Sequence, residues 1–292
     1  MVPVILLIWL AFIAAVVSKI TTSRRYAPPG DKKLPEAPSP VHRPPRYITS
    51  RFDDALPTPT LAPYEPEWTL RLPGQLLAID VETTGLTAND RIVALAIVGI
   101  RPRPNDQTVL DASAAYLVFD PGKRSHPAAE RVHGWDDWTL RHQDTFAQHA
   151  QDISERLRES DLLIAHNLAF DLPFVARELA EAGIAFTTAA TFCTLQDCRA
   201  RGFARAGLDF VAPALGLGVR GEPHTALEDA WLALAVYLRL NLAAPALPLP
   251  PEFRRVPGNF RAPPPRPPGA LPRRPRRTRR RPAWNGSTTD VG

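Results

Sequence analysis

The chain predicts an α/β domain, a mixed sheet flanked by helices, over about residues 74–244 of 292. Two patterns point there. Three strand-like runs come first and are followed by alternating helix and strand signals. A long apolar helix then closes the segment. The proline distribution sets the limits, since most of the 33 prolines lie outside this stretch.

Leu76–Glu82 reads as a strand, with Leu77, Ile79 and Val81 on one face. Ile92–Ile100 is a continuous apolar run, as expected of a strand covered on both sides. Tyr116–Phe119 reads as a third short strand closed by Asp120-Pro121-Gly122. Phe146, Ala150, Ile153 and Leu157 recur at helical spacing. Leu162–Ala165 is a fourth strand. The helix marked by Leu172, Val175 and Leu179 ends at Gly183. Thr225–Leu240 is apolar nearly all round and is expected to be buried.

Composition is globular, 45% hydrophobic and 22% charged, but charge is unevenly spread. Residues 1–73 carry net +3, residues 74–244 net −7 and residues 245–292 net +9. Basic side chains are 31 Arg against 4 Lys. Two cysteines, Cys193 and Cys198, exclude a disulfide scaffold and a Cys-rich zinc module; they read as reduced thiols in or near a core.

Val2–Val17 is uncharged and almost wholly apolar, and as a helix 1–18 would reach about 27 Å. Lys19, Arg24, Arg25, Lys32 and Lys33 follow it, whereas a secretory signal carries its positive charge first. The expectation is a single-pass transmembrane anchor over 1–20 with the following domain in the cytoplasm. Residues 21–73 are expected to form a Pro-rich linker, with twelve prolines over 27–73. Residues 245–292, rich in Pro and Arg, cannot bury enough surface to fold alone and are expected to be a disordered tail. The run from Arg273 to Arg281 suits capture of nucleic-acid phosphates or contact with anionic lipid.

Three places carry chemistry. Asp80 and Glu82 share one strand face, an arrangement that hard divalent cations relieve. Thr83-Thr84-Gly85-Leu86 turns directly after them, and Gly85 permits close backbone approach to a ligand. Asp171, in His166-Asn167-Leu168-Ala169-Phe170-Asp171, follows the fourth strand; its place before Leu172-Pro173 also suits a helix N-cap. Asp229 lies among apolar residues on the last helix and so needs a partner: a cation, an arginine or a cap. His224 stands five residues before it.

Taken together, Asp80-x-Glu82-Thr83-Thr84-Gly85-Leu86, His166-Asn167-x-x-Phe170-Asp171 and His224-x-Ala226-x-x-Asp229-Ala230 resemble the three motifs of DEDDh-type 3′→5′ exonucleases. That group includes the epsilon proofreading subunit, ribonuclease T and oligoribonuclease. Val132-His133-Gly134 resembles a substrate-side segment of the epsilon-like branch. Leu168 departs from the pattern, standing where a small residue often follows His-Asn. The resemblance covers about 76–242 and implies a ribonuclease-H-like fold with a five-stranded mixed sheet. It implies two Mg²⁺ or Mn²⁺ ions held by Asp80, Glu82, Asp171 and Asp229, with His224 as general base. It also implies that Thr83, Thr84, Leu86, Asn167 and Phe170 hold the 3′-terminal nucleotide. The expected function is a membrane-tethered exonuclease acting on DNA or RNA. The alternatives are a catalytically silent nucleic-acid-binding module and a membrane-attached scaffold. No clamp- or polymerase-binding peptide is evident, so no polymerase partner is implied.

Overall fold

Five strands and two long helices place the candidate residues. The computed structural model describes residues 47–52, 56–61, 72, 74–103, 106–187, 190–221, 224–250 and 253–274, with backbone alone at 47–52, 56–61, 103 and 106–109. The expected anchor, most of the linker and the end of the tail lie outside these residues. Among the described residues no helix is long and apolar enough to cross a membrane.

The strands are β1 (Tyr47–Phe52), β2 (Leu56–Leu61), β3 (Leu76–Thr83), β4 (Ile92–Arg103), β5 (Asp106–Val118), β6 (Leu162–Ala165) and β7 (Thr191–Cys193). The sheet order is β1-β2-β5-β4-β3-β6-β7. Its last five strands form the expected mixed sheet: β5-β4-β3 pair antiparallel, and β6 and β7 join in parallel. The helices are α1 (Pro127–His133), α2 (Asp137–Leu140), α3 (Phe146–Arg158), α4 (Leu168–Glu181), α5 (Thr194–Ala200), α6 (Leu208–Ala214) and α7 (Ala226–Asn241).

Alternation along β3 sorts its side chains between two cores. Leu77, Ile79 and Val81 pack with Ile153, Leu157, Val175 and Leu179 of α3 and α4. Leu76 and Ala78 face α7, where Ala226, Ala230 and Ala233 meet Ala94 and Ala96 of β4. Small residues on both surfaces let the helix lie close to the sheet. Twelve of the sixteen residues of α7 are buried, as its apolar surface predicts.

Two expected segments differ in the structure. Part of the Pro-rich linker is an antiparallel pair, β1–β2, extending the sheet beyond β5. Proline lacks the N–H that a two-sided ladder uses. Pro57 and Pro59 are tolerated because β2 meets β5 in register only at Thr60–Asp111.

The tail is the larger correction. Over 245–250 and 253–274 it lies against the domain instead of standing free. Phe253 is buried with its ring 5.7 Å from that of Trp231, whose indole N–H donates to Leu247 O. Asn259 exchanges hydrogen bonds with the Val118 backbone. Arg255 pairs with Glu228, Arg261 with Asp144, and Arg274 with Asp120 and Asp137. The basic tail thus docks on an acidic domain. Phe253→Ala is expected to cost about 3 kcal/mol in urea unfolding. A free tail would show no change.

Candidate active site

Asp80 and Glu82 continue the β3 face that looks toward α7. In register they stand opposite Ala96 and Ala94 of β4, whose small side chains leave room for the carboxylates. Asp229 lies in the first turn of α7, directly after the Thr225 cap, whose hydroxyl accepts from Glu228 N–H. The helix start therefore brings Asp229 over the end of β3. One oxygen each from Asp80, Glu82 and Asp229 lie within 4.8 Å of one another.

Asp171 arrives from the opposite side. Helix α4 is capped at Asn167, so Asp171 falls inside its first turn and does not serve as the N-cap. Its Oδ1 accepts from the Val81 backbone N–H at 3.1 Å, tying the carboxylate to β3 between the other two acids. Asp171 and Asp229 are each about 3% exposed, too little for water to solvate either charge.

The electrostatics follow from burial. Desolvation, then the charges of Asp229, Asp171 and Glu82, hold the Asp80 carboxyl well above the usual range, with Arg220 pulling it down. Glu82 is pushed up to about 8, first by burial and then by Asp229. Asp171 rises to about 7, mainly by burial, against the lowering effect of the Val81 hydrogen bond. Such a set of clustered, hard oxygen donors suits a divalent cation.

The buried His133 and the half-buried His166 are each held down at about 4, mainly by desolvation. They stabilise the fold increasingly as pH rises from about 4 to about 6.5, because the unfolded chain then binds more protons. Glu82 and Asp171 act oppositely: the folded chain keeps protons that the unfolded one has lost. Above pH 6.5 only the carboxylates remain active, so stability without cations is expected to fall from pH 7 to pH 8. Adding Mg²⁺ should flatten that decline, since the cation replaces the retained protons. Melting temperatures in EDTA and in Mg²⁺ at both pH values check this.

The turn after β3 is braced from within. Thr83 Oγ1 donates to Gly85 O, and Thr84 Oγ1 donates to Asp90 at 2.8 Å. Thr84 has no exposed surface, so its hydroxyl serves the turn. Gly85 is needed for the same reason: a Cβ there would lie 2.7 Å from an Asp90 oxygen. Leu86, by contrast, is 83% exposed. Asn167 is exposed, and the half-buried Phe170 has its ring 5.0 Å from that of Phe174. Leu168 packs against the α3–α4 core. His224 lies half-buried just before the α7 cap, and its Nδ1 has no hydrogen-bond partner among the described residues.

Sequence reasoning required a partner for Asp229 without naming it. That partner is Arg220, whose Nε donates to Asp229 Oδ1 at 2.5 Å and whose Nη2 donates to Oδ2. Tyr116 also went unassigned. It pairs with Ala96 of β4, which on its other side pairs with Asp80, and burial raises its pKa, with the charges of Glu82 and Asp80 adding to this.

The chain is similar to several known proteins. The chain is 27% identical over 177 residues to DNA polymerase III subunit epsilon of Escherichia coli, a match covering 56% of this chain and 70% of that protein. It is 31% identical over 172 residues to a DNA polymerase III subunit epsilon-like protein of Rhodobacter capsulatus, covering 56% of this chain and 23% of the relative. It is 28% identical over 192 residues to the 3′-5′ exonuclease DinG of Bacillus subtilis, covering 64% and 20%. The match thus spans about a fifth of the length of these last two relatives. Escherichia coli Exonuclease I, solved in complex with a dA16 oligonucleotide, aligns with a TM-score of 0.46 at 16% identity, covering 57% of this chain and 41% of that one. The exonuclease family model (RNase_T) matches residues 77–237, which take in all four acidic residues and His224, and the chain belongs to that family.

Proposed function

We propose that this protein is a metal-dependent 3′→5′ exonuclease that hydrolyses the 3′-terminal phosphodiester of DNA or RNA and releases nucleoside monophosphates. The observation that carries the reading is the meeting of Asp80, Glu82 and Asp229 oxygens within 4.8 Å, with Asp171 tied to the same strand. Two Mg²⁺ or Mn²⁺ ions held by these four residues would supply charge stabilisation for the attacking and leaving oxygens of an in-line displacement. The chain's own contributions are distinct. Asp171 is kept in place by Val81, and the start of α7 delivers Asp229 to the same cluster. His224 takes the proton of the attacking water, as a general base. Leu86 and Phe170 offer apolar and aromatic surface to the terminal base, and Asn167 a polar contact beside them. Thr83 and Thr84 shape the turn that presents Leu86.

The relatives named as 3′-5′ exonuclease and polymerase epsilon subunit support this direction of attack. The test is digestion of matched 5′-labelled DNA and RNA oligomers by the full chain. Stepwise shortening from the 3′ end with Mg²⁺ or Mn²⁺, and none in EDTA, is expected. Labelled products that do not shorten stepwise would refute the reading.

We also propose that the apolar run Val2–Val17, with its trailing basic residues, is a single-span anchor that leaves the exonuclease domain in the cytoplasm. The protein is then expected in the membrane pellet after alkaline carbonate washing. Recovery in the wash would count against the anchor. The arginines beyond residue 274 remain candidates for contact with nucleic acid or anionic lipid, but Arg274 itself is engaged by Asp120 and Asp137.

A further inference from the structure

The guanidinium of Arg220 uses both oxygens of Asp229, the residue that helix α7 delivers to the carboxylate cluster. Its third nitrogen, Nη1, donates to Asp209 Oδ1 of α6 at 3.3 Å. The two acids differ sharply in exposure: the Asp229 side chain is 3% exposed and that of Asp209 54%. Arg220 therefore bridges one buried acid of the site and one acid at its rim.

A divalent cation and a guanidinium on the same buried carboxylate repel each other strongly in a poorly solvated site. Asp229 cannot serve both fully. The loop that carries Arg220 is preceded by two glycines in the left-handed region. Gly216 and Gly218 adopt positive φ (+72° and +94°), and a Cβ at either would meet nothing within 4 Å. Asp209 gives the guanidinium a second seat that does not belong to the cluster.

We propose that Arg220 is a positioning residue that competes with the divalent cation for Asp229. It neutralises Asp229 until the ion takes that carboxylate, and then withdraws onto Asp209. Arg220 thus weakens cation binding and fixes where Asp229 points beforehand. This inference rests on the metal-dependent reading above.

The test is Mn²⁺ titration of the full chain, followed by calorimetry and by the paramagnetic resonance of free Mn²⁺. Arg220→Gln is expected to bind Mn²⁺ about tenfold more tightly than the wild type, because a like charge is removed from the site. Arg220→Lys keeps the charge but not the two-pronged contact, and should tighten binding by a smaller factor. Asp209→Asn removes the second seat and should weaken binding a few-fold. Wild-type binding that is not tightened in either Arg220 variant would overturn the competition while leaving the metal-dependent reading intact. If neither the wild type nor any variant binds Mn²⁺, both readings fall. The lysine variant keeps the question decidable should the glutamine variant not fold.

Discussion

Asp80→Asn is expected to slow nucleotide release about 10³-fold while leaving a folded and no less stable protein in EDTA. Asp80 stands on the β3 face with Glu82, beside the Val81 amide that tethers Asp171, and its oxygens belong to the cluster shared with Asp229. Removing its charge takes away a cation ligand. If ligation there contributes about 4 kcal/mol to the barrier, the rate falls about 10³-fold. Stability should move the other way. Burial and three neighbouring carboxylates already disfavour the Asp80 charge, so a neutral side chain of the same shape relieves repulsion. The gain in stability from added Mn²⁺, about 2.7 kcal/mol at a hundredfold excess over Kd in the wild type, should shrink or vanish. Oligonucleotide digestion and melting curves with and without Mn²⁺ check all three. Near-wild-type turnover would mean that Asp80 is not a ligand.

Much of this site was legible because it lies on regular elements. The two-residue period of β3 put Asp80 and Glu82 on one face, and the apolar surface of α7 marked Asp229 as a buried charge needing a partner. Arg220 was not legible as that partner. It reaches Asp229 from an irregular loop, where spacing says nothing about contact. The role of Gly85 was half legible: the turn needs a residue without Cβ, but the atom filling that space is an Asp90 oxygen.

The fold shows the same division. Most of β5, from Asp106 to Ala115, was missed, and through Ala112, Ser113, Ala114 and Ala115 it lacks the β-branched pattern of a strand. Those four are held instead by register with Ile97, Val98, Gly99 and Ile100 of β4. Composition implies a tail that cannot fold alone. It could not show that single anchors at Phe253, Asn259 and Arg274 dock the tail on a domain of opposite charge.

His224→Gln is expected to lower kcat by roughly 10²–10⁴ while leaving Mn²⁺ affinity close to that of the wild type. His224 precedes the cap of α7, and Asp229 lies in the first turn of the same helix. A change at His224 that disturbed the helix start would therefore also displace a cation ligand, and Mn²⁺ affinity would fall with turnover. A proton-transfer role predicts that the two separate. The burial of Nδ1 without a partner among the described residues points the same way. A histidine kept for structure earns stability through hydrogen bonds, whereas an unpartnered buried nitrogen costs about 1–3 kcal/mol. Replacing this ring should therefore not lower the melting temperature much. Turnover, Mn²⁺ affinity and melting temperature measured on one preparation distinguish the cases. A stable variant with full turnover would remove His224 from the reaction, and a parallel loss of turnover and Mn²⁺ affinity would make it a support for α7.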